Sequence, residues 1–318
     1  MPSLRIKLLN QVLRLAIKKR LTRVEFTPEE IAKTRARMDR MGKRGATGKD
    51  RKVNFETGEL GGVPLCWTEP KSAAKSSRPV ILHLHGGAYF VGSSVAYRPF
   101  AANLALATDA RVGVLDYRLA PEAPFPAATE DAISAYRALL QQGIPAQRII
   151  ISGDSAGGNL ALVTLLKIKQ AKLPKPAGSV LLSPWTDLTG SGESIVTNAN
   201  ADAMLPAARI AEAAHMYAGD SDLRDWRVSP LFGDYAGLPP ITIHVGSEEI
   251  LRDDAQRVAI CATEAGVRVT LKEWPQAPHV FPIFADLVPE GRAAIEEIAQ
   301  WIDQRLPDRG AFASSPAA

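Results

Sequence analysis

The sequence has 318 residues, of which 46% are hydrophobic and 23% are charged. These proportions are typical of a folded chain with a core of ordinary size, and they exclude a disordered or fibrous protein. The net charge of +4, from 38 Lys and Arg against 34 Asp and Glu, is too small to indicate a nucleic-acid partner. The two cysteines, Cys66 and Cys261, match no metal or disulfide spacing, so we expect a reducing, cytoplasmic location.

The first 50 residues are predicted to form two helices. Leu9, Leu13, Ile17 and Leu21 recur every four residues, and the first 23 residues carry seven Lys or Arg and no acid. This pattern is typical of a basic amphipathic helix, which we interpret as lying on the domain. A membrane-surface anchor and a transit peptide are the alternatives.

The same region lacks the marks of a membrane span or a secretory signal. No run of 18 apolar residues is present, so no membrane-spanning helix is predicted. A continuous apolar stretch followed by a small-residue cleavage site is also missing. The sequence Thr27-Pro28-Glu29-Glu30 predicts the start of the second helix, with Thr27 as its N-cap.

From residue 51 onward the pattern changes to one of strands. Residues 51–68 predict a hairpin around Gly58 and the Gly61-Gly62 pair. Beyond it, short apolar runs alternate with longer helical patterns, which predicts an α/β fold with a mostly parallel sheet flanked by helices. The predicted strands are Val80–Leu84, Arg111–Tyr117, Arg148–Ser152, Ser179–Ser183, Ile241–Val245 and Val267–Glu273. The predicted helices are 96–108, 126–142, 156–171, 252–265 and 289–305.

The interval 186–238 breaks this alternation. It separates two strands by more than a normal crossover, and it contains one helical pattern, over 206–217, and no clear strand. We expect an insertion that stands over one end of the sheet. The last residues, from Gly310, are predicted to be disordered.

The motif Gly153-Asp154-Ser155-Ala156-Gly157 lies between a predicted strand and a predicted helix. Alone it is a weak indication, but a tight strand-to-helix turn that exposes a serine requires small residues on both sides. Ser155 would stand at the N-terminus of the helix, where free N–H groups favour negative charge. The motif therefore predicts a nucleophilic serine. A phosphate-binding loop is disfavoured because the Lys-[Ser/Thr] ending is absent.

Acyl transfer to a serine also needs donors for the oxyanion. The strand Val80–Leu84 runs into the sequence His-Gly-Gly at 85–87, where glycines leave the backbone N–H groups uncovered. We expect Gly86 and Gly87 to supply two donors and the N–H of Ala156 a third. The alternative is that His-Gly-Gly is only a turn that ends the strand.

Five histidines compete for the role of general base, and His279 fits best. It follows the last predicted strand and lies late in the chain, as the order serine, acid, histidine requires. His83 and His244 lie within strands, where packing is the expected role. His85 is expected to brace the oxyanion loop, and His215 lies in the insertion.

The acid partner stays open on the residues alone. The strand Ile241–Val245 is followed by four carboxylates, those of Glu248, Glu249, Asp253 and Asp254. The two aspartates fall in the first turn of a predicted helix, where the helix dipole accounts for them. Either glutamate would extend from the loop itself.

Four motifs together resemble those of the hormone-sensitive lipase family of bacterial carboxylesterases, and among its members small esterases and monoterpene lactone hydrolases are the most similar. The motifs are His85-Gly-Gly-Ala88, Tyr117-Arg-Leu-Ala-Pro-Glu-Ala-Pro-Phe-Pro126, Gly153-Asp-Ser-Ala-Gly157 and Ser183-Pro-Trp-Thr-Asp187. The resemblance implies an α/β-hydrolase catalytic domain over residues 51–318. It also implies a helical cap made of residues 1–50 and an insertion within 186–238.

The resemblance implies roles for single residues as well. The family's Asp-Pro-Leu-x-Asp stretch places Glu249 where the catalytic Asp usually stands, with Ile250 replacing the Pro. Ala88 stands where the family often has a third glycine. Asp154, Arg118 and Glu122 are expected to brace the elbow and the oxyanion loop. Residues that could line the acyl or alcohol pocket, with plain packing as the alternative, are Tyr89, Trp185, Met204 and Leu205.

The predicted activity is that of a serine carboxylesterase acting on short- to medium-chain esters. Ser155 would attack the ester, His279 would act as the base and Glu249 would orient it, with no metal or cofactor. A lactone hydrolase or lipase of the same family and a non-catalytic binding protein are the alternatives. The expected partner is a small-molecule ester, and a homodimer along the last strand, Val267–Glu273, is conceivable.

Overall fold

A computed structural model describes residues 1–23, 25–71 and 78–306 of the chain. The described residues form one eight-stranded sheet and a series of helices around it. The predicted disordered tail from Gly310 lies outside the described residues. The strands are β1 Val53–Leu60, β2 Val63–Pro70, β3 Val80–Leu84, β4 Arg111–Leu115, β5 Ile149–Asp154, β6 Gly178–Leu182, β7 Ile241–Gly246 and β8 Val269–Trp274.

The strands follow the order β1-β2-β4-β3-β5-β6-β7-β8 across the sheet. β1 and β2 are antiparallel to each other and β2 is antiparallel to β4, whereas all the later pairs are parallel. Every residue of β3, β5, β6 and β7 is buried, as near-continuous apolar runs require. The predicted mostly parallel sheet is confirmed, and β8 lies at its edge. A homodimer along this edge stays a prediction.

The helices flank the sheet on both faces. They are α1 Leu4–Val12, α2 Lys19–Arg23, α3 Pro28–Gly45, α4 Arg98–Thr108, α5 Ala127–Gln141, α6 Ala156–Gln170, α7 Ser194–Thr197, α8 Ile210–Ala218, α9 Arg252–Glu264 and α10 Pro289–Asp303. Ile81 and Ile150 share a cluster with residues of α4 and α10. Leu82 and Ile151, their neighbours along the strands, share the larger cluster with residues of α5, α6 and α9, because side chains alternate along a strand.

The predicted hairpin is present, but its turn is shorter than expected. β1 and β2 pair from Val53 with Pro70 to Leu60 with Val63, and the turn consists of Gly61 and Gly62, both with positive φ. Gly58 was expected to share in the turn and instead lies within β1. The pairing of β1 with β2 continues without interruption through Gly58 and Leu65, so this glycine marks no bulge or bend.

The N-terminal helix α3 lies against the loops that follow β3 and β4. The side chain of Thr27 caps α3 by accepting the Glu30 N–H at 3.3 Å, as predicted. On α3, Arg35 donates to the carbonyl of Phe90 at 2.8 Å and pairs with the carboxylate of Glu122. Glu122 therefore braces the loop after β3 through Arg35.

The insertion between β6 and β7 contains short helices and, within its fully described residues 183–240, no strand. The helix predicted over 206–217 is a single tight turn at Ala207–Arg209 followed by α8. On α8 the ring of Tyr217 stacks on that of Tyr89, with centroids 3.5 Å apart. The insertion thus packs directly on the loop after β3. The division into a cap and a catalytic domain stays a prediction.

Candidate active site

Ser155 occupies a strained turn between β5 and α6. Its backbone has φ +52° and ψ −121°, a conformation that non-glycine residues rarely adopt and that clusters at functional sites. A Cβ on Gly153 would lie 2.0 Å from the carbonyl oxygen of Gly157, and one on Gly157 would lie 1.9 Å from that of Leu84. The predicted turn is confirmed: only glycine fits two residues before and two residues after this serine.

The side chains of His279 and Glu249 form a buried pair. His279 Nδ1 lies 2.7 Å from Glu249 Oε2, and the two side chains are 3% and 1% exposed. Glu249 follows β7 and His279 follows β8, as Ser155 follows β5. All three therefore lie at the end of the sheet where the parallel strands have their carboxyl termini. With Nδ1 bonded to the acid, Nε2 is the nitrogen left to take a proton, as a general base needs.

Glu249 keeps the imidazole of His279 basic despite its burial. Burial alone would lower the pKa of His279, because it disfavours the charged ring. The hydrogen bond to Glu249 and the negative charges of Glu249, Asp202 and Asp154 outweigh this effect and raise the pKa of His279 above its usual value. The pair therefore stabilises the imidazolium that forms when the base accepts a proton.

The other three candidate acids have different partners. Glu248 lies at the surface, 4.0 Å from Arg14. Asp253 accepts the N–H of Ser194 at 2.8 Å. Asp254 accepts the N–H groups of Thr186 and Asp187 at 2.6 and 2.9 Å, and burial raises its pKa to about 7. Of the four carboxylates, Glu249 is the one that contacts His279.

The loop after β3 differs from the expectation in one respect. The N–H of Gly86 donates to Asp154 Oδ1 at 2.9 Å and to the hydroxyl of Tyr97 at 3.0 Å. Gly86 is buried, and a Cβ there would lie 2.3 Å from Asp154 Oδ2. The expectation that Gly86 donates to the oxyanion is wrong, because its N–H already points at two protein acceptors.

Other N–H groups of the same region are free to take this role. In the described part of the chain, the N–H groups of Gly87, Ala88 and Ala156 have no hydrogen-bond acceptor. Gly87 and Ala88 are half-buried, with φ values of +120° and +53°. Ala88 thus stands in the left-handed region that favours glycine, which is a physical reason for a glycine to be common there.

Comparison with known proteins shows which family the chain belongs to. A model of the alpha/beta hydrolase fold matches residues 81–283, well over half of the sequence. An acetyl-hydrolase of Streptomyces hygroscopicus is 43% identical over 239 residues, which cover 75% of this chain and 80% of that protein. The crystal structure of an esterase from the bacterial hormone-sensitive lipase family superposes with a TM-score of 0.88, at 36% identity, and covers 96% of this chain and all of that one. The chain belongs to the hormone-sensitive lipase family of α/β hydrolases.

A further relative agrees with this assignment. An esterase of Acinetobacter venetianus is 42% identical over 234 residues, which cover 73% of this chain and 77% of that protein. The family, the esterase relatives and the fold together make this hydrolase a carboxylesterase, as predicted. No described helix is long and apolar enough to cross a membrane. The described residues also contain no cluster of three or more side chains arranged to hold a metal ion.

Three of the remaining histidines of this esterase are held by packing and hydrogen bonds within the protein. His85 stacks on Tyr117, with ring centroids 4.4 Å apart, and its Nδ1 lies 2.8 Å from the carbonyl of Gly86, so it braces the loop after β3. His83 is buried beside Asp154 at 3.2 Å. His244 accepts from Trp274 Nε1 at 3.1 Å, and burial lowers its pKa to about 4.

The four candidate pocket residues differ in burial. Tyr89 is fully buried and its hydroxyl donates to Asn159 at 2.7 Å. Trp185 is 2% exposed and packs in the main core. Met204 and Leu205 are half-buried. Packing accounts for the first two, and a role in the substrate pocket stays a prediction for all four.

Asp202 is a site residue that sequence reasoning missed. It is 1% exposed and accepts the N–H groups of Met204 and Leu205 at 2.7 and 2.8 Å. Its other oxygen accepts the N–H of Ile250, the residue after the acid, at 2.9 Å. The insertion thereby holds the Glu249 loop through one buried carboxylate. An aspartate in an irregular segment carries no pattern that would have identified it.

Ser183 is a second missed residue, and it links the acid to the histidine loop. Its hydroxyl donates to Glu249 Oε1 at 2.7 Å and accepts the N–H of Val280 at 3.0 Å. It follows β6, between the strands that carry Ser155 and Glu249. Ser183 therefore positions both partners of the buried pair.

Removal of the Ser183 hydroxyl is expected to lower kcat by about 10- to 100-fold, since a hydrogen bond to a charged group contributes about 1.5–3 kcal/mol. The measurement is the kcat of Ser183→Ala with p-nitrophenyl acetate. Ser179→Ala is the matched control, because Ser179 is a fully buried serine in β6, the strand that Ser183 follows, and its hydroxyl has no partner among the described residues. Equal kcat values for the two variants would contradict a positioning role.

Proposed function

We propose that this carboxylesterase works through an acyl-enzyme formed on Ser155, with His279 as the general base and Glu249 as its orienting acid. The observation that carries the proposal is the buried contact between His279 Nδ1 and Glu249 Oε2 at 2.7 Å. This contact leaves Nε2 of His279 for proton transfer. The nitrogen lies at the carboxyl-terminal end of the sheet, where the strained turn presents Ser155. A protein that only binds a ligand has no need of such a pair.

In the first half of the reaction, Ser155 Oγ attacks the ester carbonyl carbon as His279 Nε2 takes the hydroxyl proton. The resulting imidazolium is stabilised by Glu249, which raises the pKa of His279. His279 then returns the proton to the leaving alcohol, and the acyl group stays on Ser155. In the second half, a water molecule attacks the acyl carbon as His279 Nε2 takes its proton. The bond between the acyl carbon and Ser155 Oγ then breaks, His279 returns the proton to Oγ, and the carboxylic acid leaves.

The negative charge of each tetrahedral intermediate falls on the former carbonyl oxygen. We propose the N–H groups of Gly87, Ala88 and Ala156 as its donors, since they lack acceptors among the described residues. Ala156 is the first residue of α6, so the helix dipole adds to its effect. Removing one donor of this kind typically costs about 2.7–4 kcal/mol of transition-state stabilisation.

The proposed substrates are esters of short acyl groups, acetyl esters above all. The support is the similarity to the acetyl-hydrolase of Streptomyces hygroscopicus. The test is a series of p-nitrophenyl esters from acetyl to palmitoyl, together with γ- and δ-lactones. We expect kcat/KM to be highest for the acetyl or butyryl ester. A maximum at palmitoyl would favour a lipase, and faster turnover of a lactone would favour the lactone hydrolase.

The pH dependence of kcat/KM is expected to report the protonation of His279. The base must be neutral, so activity falls as the pH decreases through its pKa. Because Glu249 raises that pKa above the usual value of 6.5, the midpoint of the acid limb is expected above 6.5. A pH–rate profile with p-nitrophenyl acetate measures it, and a midpoint well below 6.5 would contradict the assigned pair.

A further inference from the structure

The N-terminal helix runs from α1 through a π-helical segment at Leu13–Lys18 into α2. It carries a stripe of apolar side chains that face away from the protein. Leu4, Leu8, Val12 and Leu15 are 84%, 62%, 53% and 73% exposed. Their spacing of three or four residues places them on one side of the helix. Among the described residues, no side chain covers this outer stripe.

The opposite side of the same helix is fixed to the domain. Ile6 and Leu13 are 0% and 4% exposed, and Asn10 between them is buried as well. Asn10 donates to the carbonyl of Gln276 at 2.9 Å. Ser3 caps the helix and donates hydrogen bonds to Glu290 on α10. The N-terminal helix is therefore fixed to the domain by its inner side, and its outer side carries the apolar stripe.

The charged side chains of this helix all have one sign. The first 23 residues hold seven Lys or Arg and no Asp or Glu. Arg5, Lys7 and Lys19 are exposed and form no ion pair with any described residue. On a helical projection Arg5 and Lys7 stand on the two sides of the stripe. An exposed apolar stripe bordered by lysine and arginine is the pattern of a helix that lies in a lipid–water interface.

We infer that this helix docks the esterase on an anionic phospholipid surface. The outer stripe enters the boundary between headgroups and acyl chains, and the basic side chains contact the phosphate groups. A second copy of the chain fits the same stripe less well. A two-fold contact would bring two basic, acid-free helices together, and like charges repel.

The N-terminal helix is also linked to the loops that carry Glu249 and His279. Lys18 donates to the carbonyls of Ala199 and Asp202 at 2.7 Å each, and Asp202 holds the residue after Glu249. Gln276, the partner of Asn10, lies three residues before His279. Docking therefore turns the side of the protein that holds the acid and histidine loops toward the lipid, with this helix between them.

The test is co-sedimentation with vesicles, carried out on the Ser155→Ala full-length protein so that hydrolysis plays no part. We expect binding to phosphatidylglycerol vesicles that weakens as salt rises, and at least about tenfold weaker binding to phosphatidylcholine vesicles. The double variant Leu8→Asp/Leu15→Asp is expected to lose at least about tenfold in affinity. Met41→Asp/Leu287→Asp is the matched control, since both side chains are 59% exposed and lie outside the stripe.

The two double variants change the net charge equally, so a difference between them reports the stripe alone. Circular dichroism melting curves and p-nitrophenyl acetate hydrolysis in the Ser155 background check that both are folded. The inference is overturned if the protein does not sediment with anionic vesicles, or if the two double variants bind equally. It is also overturned if Leu8→Asp/Leu15→Asp changes only a monomer–dimer equilibrium measured by analytical ultracentrifugation, since the stripe would then be an interface between copies.

Discussion

Replacement of Glu249 by glutamine is expected to lower kcat by about three to four orders of magnitude, the loss typical of a triad whose acid no longer selects the tautomer. The amide oxygen can still accept from Ser183 and from the N–H of Gly246, as Glu249 Oε1 does. Its NH2 group then faces His279 Nδ1. That nitrogen must become an acceptor, so the proton moves to Nε2, where a proton acceptor is needed.

The same change removes the charge that raises the pKa of His279. We therefore expect the acid limb of any residual activity to shift to lower pH. Kinetics of Glu249→Gln with p-nitrophenyl acetate, over a range of pH, measure both effects. Glu248→Gln and Asp253→Asn are the controls, and each is expected to keep kcat within a few-fold of the parent. If one of them causes the large loss and Glu249→Gln does not, the acid is wrongly assigned.

Removal of the Asp154 carboxylate is expected to reduce both stability and activity. Its oxygens accept the N–H of Gly86 at 2.9 Å and the hydroxyl of Tyr97 at 2.7 Å, and its side chain also contacts His83. In Asp154→Ala these buried groups lose their partner, at about 1–3 kcal/mol for each donor left unsatisfied. We expect a loss of about 3 kcal/mol in the free energy of unfolding. We also expect a fall in kcat of at least about tenfold, because the oxyanion loop loses its anchor.

The conservative variant Asp154→Asn separates geometry from charge. Its amide oxygen can accept the Gly86 N–H, and its NH2 group can donate to the Tyr97 hydroxyl. We expect it to recover most of the stability and most of the kcat. Urea unfolding and kcat measured on the same preparations test this. An alanine variant as stable and as active as the parent would show that the carboxylate does not hold the loop.

The sequence was sufficient for the sheet and for the turn that holds Ser155, because each depends on local chemistry. Small residues around Ser155 are required by a turn in which a Cβ at Gly153 or Gly157 would clash. The strands β3, β5, β6 and β7 are buried along their whole length, and their short, β-branched runs distinguish them from helices. Glu249 emerged from its place relative to the family motif, and its contact with His279 agrees with that alignment.

Other features depend on contacts between distant segments, and the sequence could not predict them. The carboxylate of Asp154 accepts the N–H of Gly86, which lies 68 residues earlier in the chain. This contact decides which N–H groups of the loop after β3 stay free. Ser183 and Asp202 act through Glu249 and Ile250, which lie 66 and 48 residues away along the chain. A serine after a strand and an aspartate in an irregular segment are too common to indicate such roles.

The most direct test of the central claim, that Ser155 is the nucleophile activated by His279 and Glu249, is mass spectrometry of the esterase after reaction with a fluorophosphonate. We predict one adduct per chain, located by peptide mapping at Ser155, with ester hydrolysis lost in proportion to labelling. Ser155→Ala is predicted to take no label, and Glu249→Gln to label far more slowly than the parent. An adduct on another residue, or a Ser155→Ala protein that still hydrolyses p-nitrophenyl acetate at the parent rate, would contradict the account.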